Sequence, residues 1–160
     1  MIRLAPEDLE LVEIPIRDLP LYSQDYDDNF PPEARALKDA IAAVQAVLFV
    51  TPEFNRSIPG GLKNAIDWAS RPHNESPLRN KPVAVIGAST GMFGAVWAQA
   101  ELRKVLASGG ARVAEVELAV GHANEHLDLA GHPSDPAQAE ALRDSVGILL
   151  GEVQQLAVAA

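Results

Sequence analysis

Residues 51–72 read TPEFNRSIPGGLKNAIDWASRP and come directly after the apolar run AVLFV at 46–50. A short β-branched and aromatic run bounded by polar residues reads as a buried strand, and the residues after it read as a loop feeding a helix. Pro52 and Pro59 both lack a backbone N–H and bias the residue before them away from helical angles, so the chain between them is irregular. This loop therefore sits at the carboxyl end of a central strand, where open α/β sheets bind ligands. Gly60 and Gly61 let the backbone approach a ligand or partner closely and open a helix over residues 62–70. On that helix Leu62, Ala65, Ile66 and Ala69 share the face expected to pack on the sheet. Trp68 falls off this stripe, and a large aromatic directed away from its own core predicts a subunit contact.

Working outward, Pro31 and Pro32 precede a helix over residues 33–44 with Ala34, Leu37, Ile41 and Val44 on one face, the crossover into the strand. Farther upstream, LELVEI at 9–14 mixes leucines with glutamates and predicts an outer strand, and residues 18–29 form an acidic, turn-rich loop. Downstream, residues 71–81 form another loop, and PVAVIGA at 82–88 reads as a second buried strand, nearly continuous in apolar residues as parallel strands are. It runs into Ser89, Thr90, Gly91, Met92, Phe93 and Gly94. A helix over residues 94–108 turns Ala95, Ala98, Leu102, Val105 and Leu106 inward, and Gly109 with Gly110 ends it. Trp97, like Trp68, lies off the inward stripe, which strengthens the expectation of a homo-oligomer. VAEVEL at 113–118 alternates as a strand with one wet face and predicts the far edge of the sheet. Residues 121–134 read as a loop holding His122, His126 and His132; the surrounding glycines and prolines argue against a helix, and no carboxylate or cysteine set completes a metal site. Asp135, Pro136 and Gln138 mark the start of a closing helix that buries Ala139, Leu142, Val146, Leu149, Leu150 and Val153.

The chain has 160 residues, which suits a single domain spanning 1–160. Acidic side chains outnumber basic ones by 22 to 13, giving a net charge of −9, which argues against nucleic acid or an anionic membrane as a partner. No run approaches the roughly 20 apolar residues that span a bilayer, and Met1 is not followed by a basic and then apolar signal segment, so the cytoplasm is the expected compartment. Without cysteine there is no thiol nucleophile and no disulfide, so redox activity requires a bound cofactor. Arg56, Lys63, Arg71, Arg79 and Lys81 cluster in one segment opposed only by Asp67 and Glu75, a place to which an anionic cofactor would be drawn.

The run PEFNRSIPGGLKNAIDW closely resembles the flavin loop of the NAD(P)H-dependent FMN reductases, the flavodoxin-like group that includes chromate, quinone and azo-dye reductases. Pro52, Glu53, Asn55, Ser57, Pro59, Gly60, Leu62, Lys63, Asn64, Ala65, Ile66, Asp67 and Trp68 match the family pattern, and Phe54 stands where a tyrosine is usual. Leu19, Pro20, Leu21, Tyr22 and Asp25 resemble a further family segment, and Gln99, Leu102 and Arg103 fit the helix after the family's second ligand loop. The resemblance implies an α/β, flavodoxin-like three-layer parallel sheet. Because nothing matches the family's Gly-Ser-Leu-Arg loop that cradles the FMN phosphate, the resemblance further implies an N-terminally shortened form, with the first strand and most of the first helix absent.

The cofactors so implied are FMN and NAD(P)H. Pro52, Glu53, Phe54, Asn55, Arg56 and Ser57 would meet the flavin ring from one loop, and Ser89, Thr90, Gly91 and Gly94 would close on it from the other. The nicotinamide would pass hydride to the flavin, and electrons would go on to a small-molecule acceptor: a quinone, a metal oxyanion such as chromate, or free flavin. No protein acid, base or nucleophile is required, so no catalytic side chain and no metal ligand is expected. The implied assembly is a homodimer or homotetramer through Trp68 and Trp97. The alternative is a shortened, non-catalytic scaffold that oligomerises and binds flavin poorly.

Overall fold

The computed structural model describes residues 9–116, 118–128 and 131–159. In chain order the elements are α1 (Pro32–Ala43), β1 (Val47–Thr51), α2 (Gly60–Ala69), β2 (Pro82–Ala88), α3 (Val96–Ser108), β3 (Arg112–Val113), β4 (Ala119–Val120), α4 (Ala123–His126) and α5 (Pro136–Ala159), with short 3-10 turns at Gln24–Tyr26 and His73–Glu75. All strand pairs are parallel and centre on β2. β1 lies along one edge of it, from Val47 opposite Val83 to Thr51 opposite Gly87. β3 and β4 follow one another along the other edge, at Pro82 to Val83 and at Gly87 to Ala88.

The alternation of β2 divides the core in two, since successive strand side chains point to opposite faces. Val83 and Val85 pack with Leu37, Ile66, Trp68 and Leu102 on the face covered by α1, α2 and α3. Ala84 and Ile86 pack with Val116, Leu142 and Leu149 on the face covered by α5. The result is a three-layer α/β arrangement. Among the described residues no helix is long and apolar enough to cross a membrane.

Several expectations are corrected. Residues 9–14 form no strand; together with residues of α1, β1, α2 and α5 they line an apolar groove of about 1100 Å³. β1 is accordingly half-buried rather than fully buried, and Val50 is 59% exposed, because among the described residues β1 has a paired neighbour on the β2 side only. Of the strand expected over 113–118, only Val113 is strand among the described residues: β3 ends there and β4 begins at Ala119. Between them the N–H of Val116 turns back to the carbonyl of Ala114 at 2.9 Å, and Arg103 fills the break by donating to the carbonyls of Val116 and Val85. α3 begins at Val96, two residues late, because Gly94 and Ala95 have positive φ (57° and 62°). Within 121–134 the chain does make one helical turn, α4, pinned to the loop after β2 by the amides of His122 and Ala123 donating to the carbonyls of Gly91 and Ser89.

Trp68 is the largest correction, for it is fully buried in its own chain and is no subunit contact. The segment ahead of α1 wraps over the far side of α2, so a side chain off the sheet-facing stripe still finds a core. Tyr22, Tyr26 and Phe30 surround the indole with ring centroids 5.1, 5.8 and 5.7 Å away. Asn64, one turn earlier on the same side of α2, accepts from the amide of Tyr22 and donates to the carbonyl of Pro20, both at 2.9 Å. Two residues of the LKNAIDW run, Asn64 and Trp68, thus serve to fasten residues 20–30 onto α2.

Candidate flavin-ring site

β1 and β2 are adjacent and parallel, so the loops leaving their carboxyl ends emerge side by side, and both carry residues singled out in the sequence. Pro52 is exposed just beyond β1. Phe54 and Ser57 exchange both backbone hydrogen bonds at 3.0 Å, closing a two-residue hairpin. Asn55 and Arg56 form its tip with φ of 52° and 60°, the backbone of a type I′ turn. Asparagine tolerates the left-handed region; arginine gains nothing from it locally and sits there under strain.

Three contacts tie this hairpin to α3. The Oε2 atom of Glu53 accepts from the backbone amides of Trp97 and Ala98 at 3.1 and 3.2 Å. The Arg56 guanidinium lies 4.6 Å from the centroid of the Trp97 ring. Ser57 Oγ donates to Glu101 at 2.6 Å. The sequence reading did not foresee any of these, since 44 or so residues separate the partners and no local pattern announces them. Trp97 is 37% exposed, with Phe93 edge-on to it at 5.0 Å, so its position off the helix's inward stripe is as expected.

The second loop divides by role. Ser89 is half-buried and bonded through its amide to Val120, while Thr90 and Gly91 are exposed, and a Cβ at Gly91 would meet only Ser89 Oγ at 3.7 Å, which leaves the chain at Gly91 open to close approach. Gly94 is used differently: a Cβ there would lie 2.7 Å from the carbonyl oxygen of Ala119, so its missing side chain serves the packing of the loop on β4. Gly121 does the same from the other side, against Met92. Gln99, buried beneath this loop, donates to the carbonyl of Gly94 at 3.1 Å and accepts from Arg103.

The basic segment is less available than its sequence promised. Lys63 pairs with Asp67 at 2.6 Å, and Lys81 donates to the carbonyls of Ala42 and Val44 at the end of α1, where a cation suits the helix dipole. Burial lowers the pKa of Lys81 and, as the leading cause, that of Lys38, which donates to the carbonyl of Arg71 and lies 4.7 Å over the Phe30 ring. Around the two loops the side chains form an open rim, with Phe54, Met92 and Phe93 all more than half exposed.

The chain is 55% identical over 104 residues to a 2-hydroxy-1,4-benzoquinone reductase of a Burkholderia species, covering 65% of this chain and 57% of that protein. It is 48% identical over 104 residues to a quinone reductase of Pseudomonas putida, covering 64% and 56%. The chain thus spans little more than half the length of these relatives. Among solved structures it superposes on FerB, a flavoenzyme NAD(P)H:(acceptor) oxidoreductase of Paracoccus denitrificans, with a TM-score of 0.87 and 37% identity over 96% of this chain and 85% of that one. An oxidoreductase of Corynebacterium diphtheriae, with a TM-score of 0.63 and 16% identity over 80% of this chain and 65% of that one, shares the fold. The architecture is flavodoxin-like. With the family model for NADPH-dependent FMN reductase matching residues 2–125, the chain belongs to that family.

Proposed function

We propose that this chain acts as an NAD(P)H-dependent FMN oxidoreductase whose electrons go on to a quinone, a metal oxyanion such as chromate, or free flavin. The observation that carries this reading is that the hairpin 54–57 and the exposed backbone of Thr90 and Gly91 follow the carboxyl ends of two adjacent parallel strands. The residues present fit the ring end of FMN. The amides of Asn55 and Arg56 have no backbone acceptor among the described residues and are free to bond the polar edge of the ring. Phe54 and Phe93 supply apolar surface for its faces, and Gly91 leaves room beside it. When bound, flavin supplies the hydride and electron transfer that no side chain of this cysteine-free protein can provide.

The protein's part is placement. Pro52, Glu53, Phe54, Asn55, Arg56 and Ser57 hold one edge of the site, and Ser89, Thr90, Gly91 and Gly94 shape the other; the aromatic rim limits water at the ring. Phe54 brings no hydroxyl, so it acts by packing alone. A quinone is the best-supported acceptor, since the Burkholderia and Pseudomonas relatives are named for quinone reduction. The same reading makes residues 1–160 a single cytoplasmic domain that assembles as a homodimer or homotetramer. The exposed pair Phe93 and Trp97 supports an interface there, without Trp68.

The test is turnover. The purified chain, given FMN, NADPH and 1,4-benzoquinone, should consume NADPH at a rate that depends on both flavin and quinone. A folded chain that gives no flavin-dependent oxidation of either NADH or NADPH overturns the reading.

A further inference from the structure

The contact between Glu53 and the start of α3 does more than line the site. α3 opens without a cap of its own: the residue before it, Ala95, has φ of 62°, and no side chain there accepts from the helix. The first amides of a helix lack intrahelical acceptors and carry the positive end of its dipole. Glu53 Oε2 takes two of them, Trp97 N at 3.1 Å and Ala98 N at 3.2 Å. A carboxylate accepting backbone N–H bonds at a helix N-terminus is among the stronger kinds of hydrogen bond. This one joins the loop after β1 to the helix that follows the loop after β2.

We propose that Glu53 is a positioning residue which, by capping α3 from 44 positions away, sets the spacing between the hairpin 54–57 and the loop 89–94. The inference rests on the flavin reading of the site. Both loops depend on the first turn of α3. The 89–94 loop leads into it through Gly94 and Ala95, and the hairpin comes directly after the residue that caps it. Arg56 on Trp97 and Ser57 on Glu101 are exposed contacts and add little holding force by themselves. Removing the Glu53 carboxylate frees the hairpin to drift relative to the second loop and leaves two helix amides without an acceptor. A side chain that still offers an oxygen at the same reach should keep the coupling.

The experiment compares wild type, Glu53→Gln and Glu53→Ala by two readouts. The first is amide hydrogen exchange without flavin. Glu53→Ala should speed exchange at Trp97, Ala98, Phe54 and Ser57 by about tenfold or more, and Glu53→Gln by no more than about threefold, while β2 amides stay unchanged in both. The second is FMN affinity from quenching of flavin fluorescence, which should weaken about tenfold or more in Glu53→Ala and recover to within about threefold in Glu53→Gln. Exchange at Trp97 and Ala98 that is unaltered in Glu53→Ala overturns the coupling, as does wild-type FMN affinity in that variant. If wild type itself fails to bind FMN, the flavin reading fails, and the exchange comparison still decides whether Glu53 holds the two loops together.

Discussion

The indole Nε1 of Trp68 donates to the carbonyl of Pro20 at 2.7 Å, across 48 positions of sequence. That one bond, with the three aromatic rings packed about the indole, converts a residue on the outer side of α2 into the centre of a core. Replacing Trp68 with alanine should cost about 3–5 kcal/mol, the range for large aromatic truncations in a close-packed interior. Trp68→Phe, which keeps a ring and loses the donor, should cost less than half of that. Urea denaturation of the three proteins checks this; a loss below about 1 kcal/mol for Trp68→Ala would show that residues 20–30 do not depend on the indole.

Trp68 also shows what the sequence could and could not tell. The stretch 46–72 defined a strand, a proline-bounded loop and a helix, and the structure has all three, because proline placement and apolar spacing act locally. The destination of a side chain off the main stripe depends on what another segment brings to it, and Tyr22, Tyr26 and Phe30 carry no local sign that they converge on α2. The spacing of Asn64 and Trp68, four apart, was the available clue that they work together. Residues 9–14 misled for a related reason: leucines mixed with glutamates suit an outer strand, but a strand also needs an edge to pair with, and those residues line a groove together with β1 without strand pairing. The break between β3 and β4 hinges on Arg103, whose role emerges only once α3 lies beside the sheet.

The glycines sort by what surrounds them. A Cβ at Gly94 or Gly121 would strike backbone atoms of Ala119 or Met92, which cannot swing aside, so alanine at either position should destabilise by about 2 kcal/mol or more through overpacking. Gly147, inside α5 with open space around it, should behave oppositely, and Gly147→Ala should stabilise by about 0.5–1 kcal/mol through helix propensity. Thermal denaturation of the three variants gives the signs. A neutral Gly94→Ala would mean the 89–94 loop is not held against β4 as described.

At the hairpin tip, Arg56 pays for a left-handed backbone and recovers part through its stacking on Trp97. Arg56→Gly relieves the strain but loses an exposed cation–π contact, of about 0.5–1 kcal/mol, and adds freedom to the unfolded chain. These effects nearly cancel, and stability should stay within about 1 kcal/mol of wild type. Arg56→Val keeps the strain, adds β-branching at positive φ and loses the stacking, so it should fall by about 2 kcal/mol. Equal stability of the glycine and valine variants in urea would contradict the type I′ geometry.

Alkaline titration probes the same wrapped segment that encloses Trp68. Burial, reinforced by the hydrogen bond that its hydroxyl donates to Asp27 at 3.0 Å, raises the pKa of Tyr22 above the ordinary 10.0. The folded state thus favours the protonated phenol. Its contribution is present in full below the unfolded pKa of 10.0 and is lost as pH rises through the higher folded value. Tyr22→Phe should therefore be less stable than wild type by about 1 kcal/mol near neutral pH, the usual worth of one such hydrogen bond. The gap should narrow at strongly alkaline pH. Urea curves of both proteins at the two pH values decide it, and a gap that widens with alkalinity would contradict the assignment.

Whether the hairpin 54–57 and the exposed backbone of Thr90 and Gly91 together hold a flavin ring is decided by amide hydrogen exchange of the wild-type chain with and without FMN. Slowed exchange is expected to concentrate at residues 53–57 and 89–94, with the helix α1 unaffected. Protection confined to the groove lined by residues 9–14 and β1, or no protection at an FMN concentration that quenches flavin fluorescence, would contradict that binding.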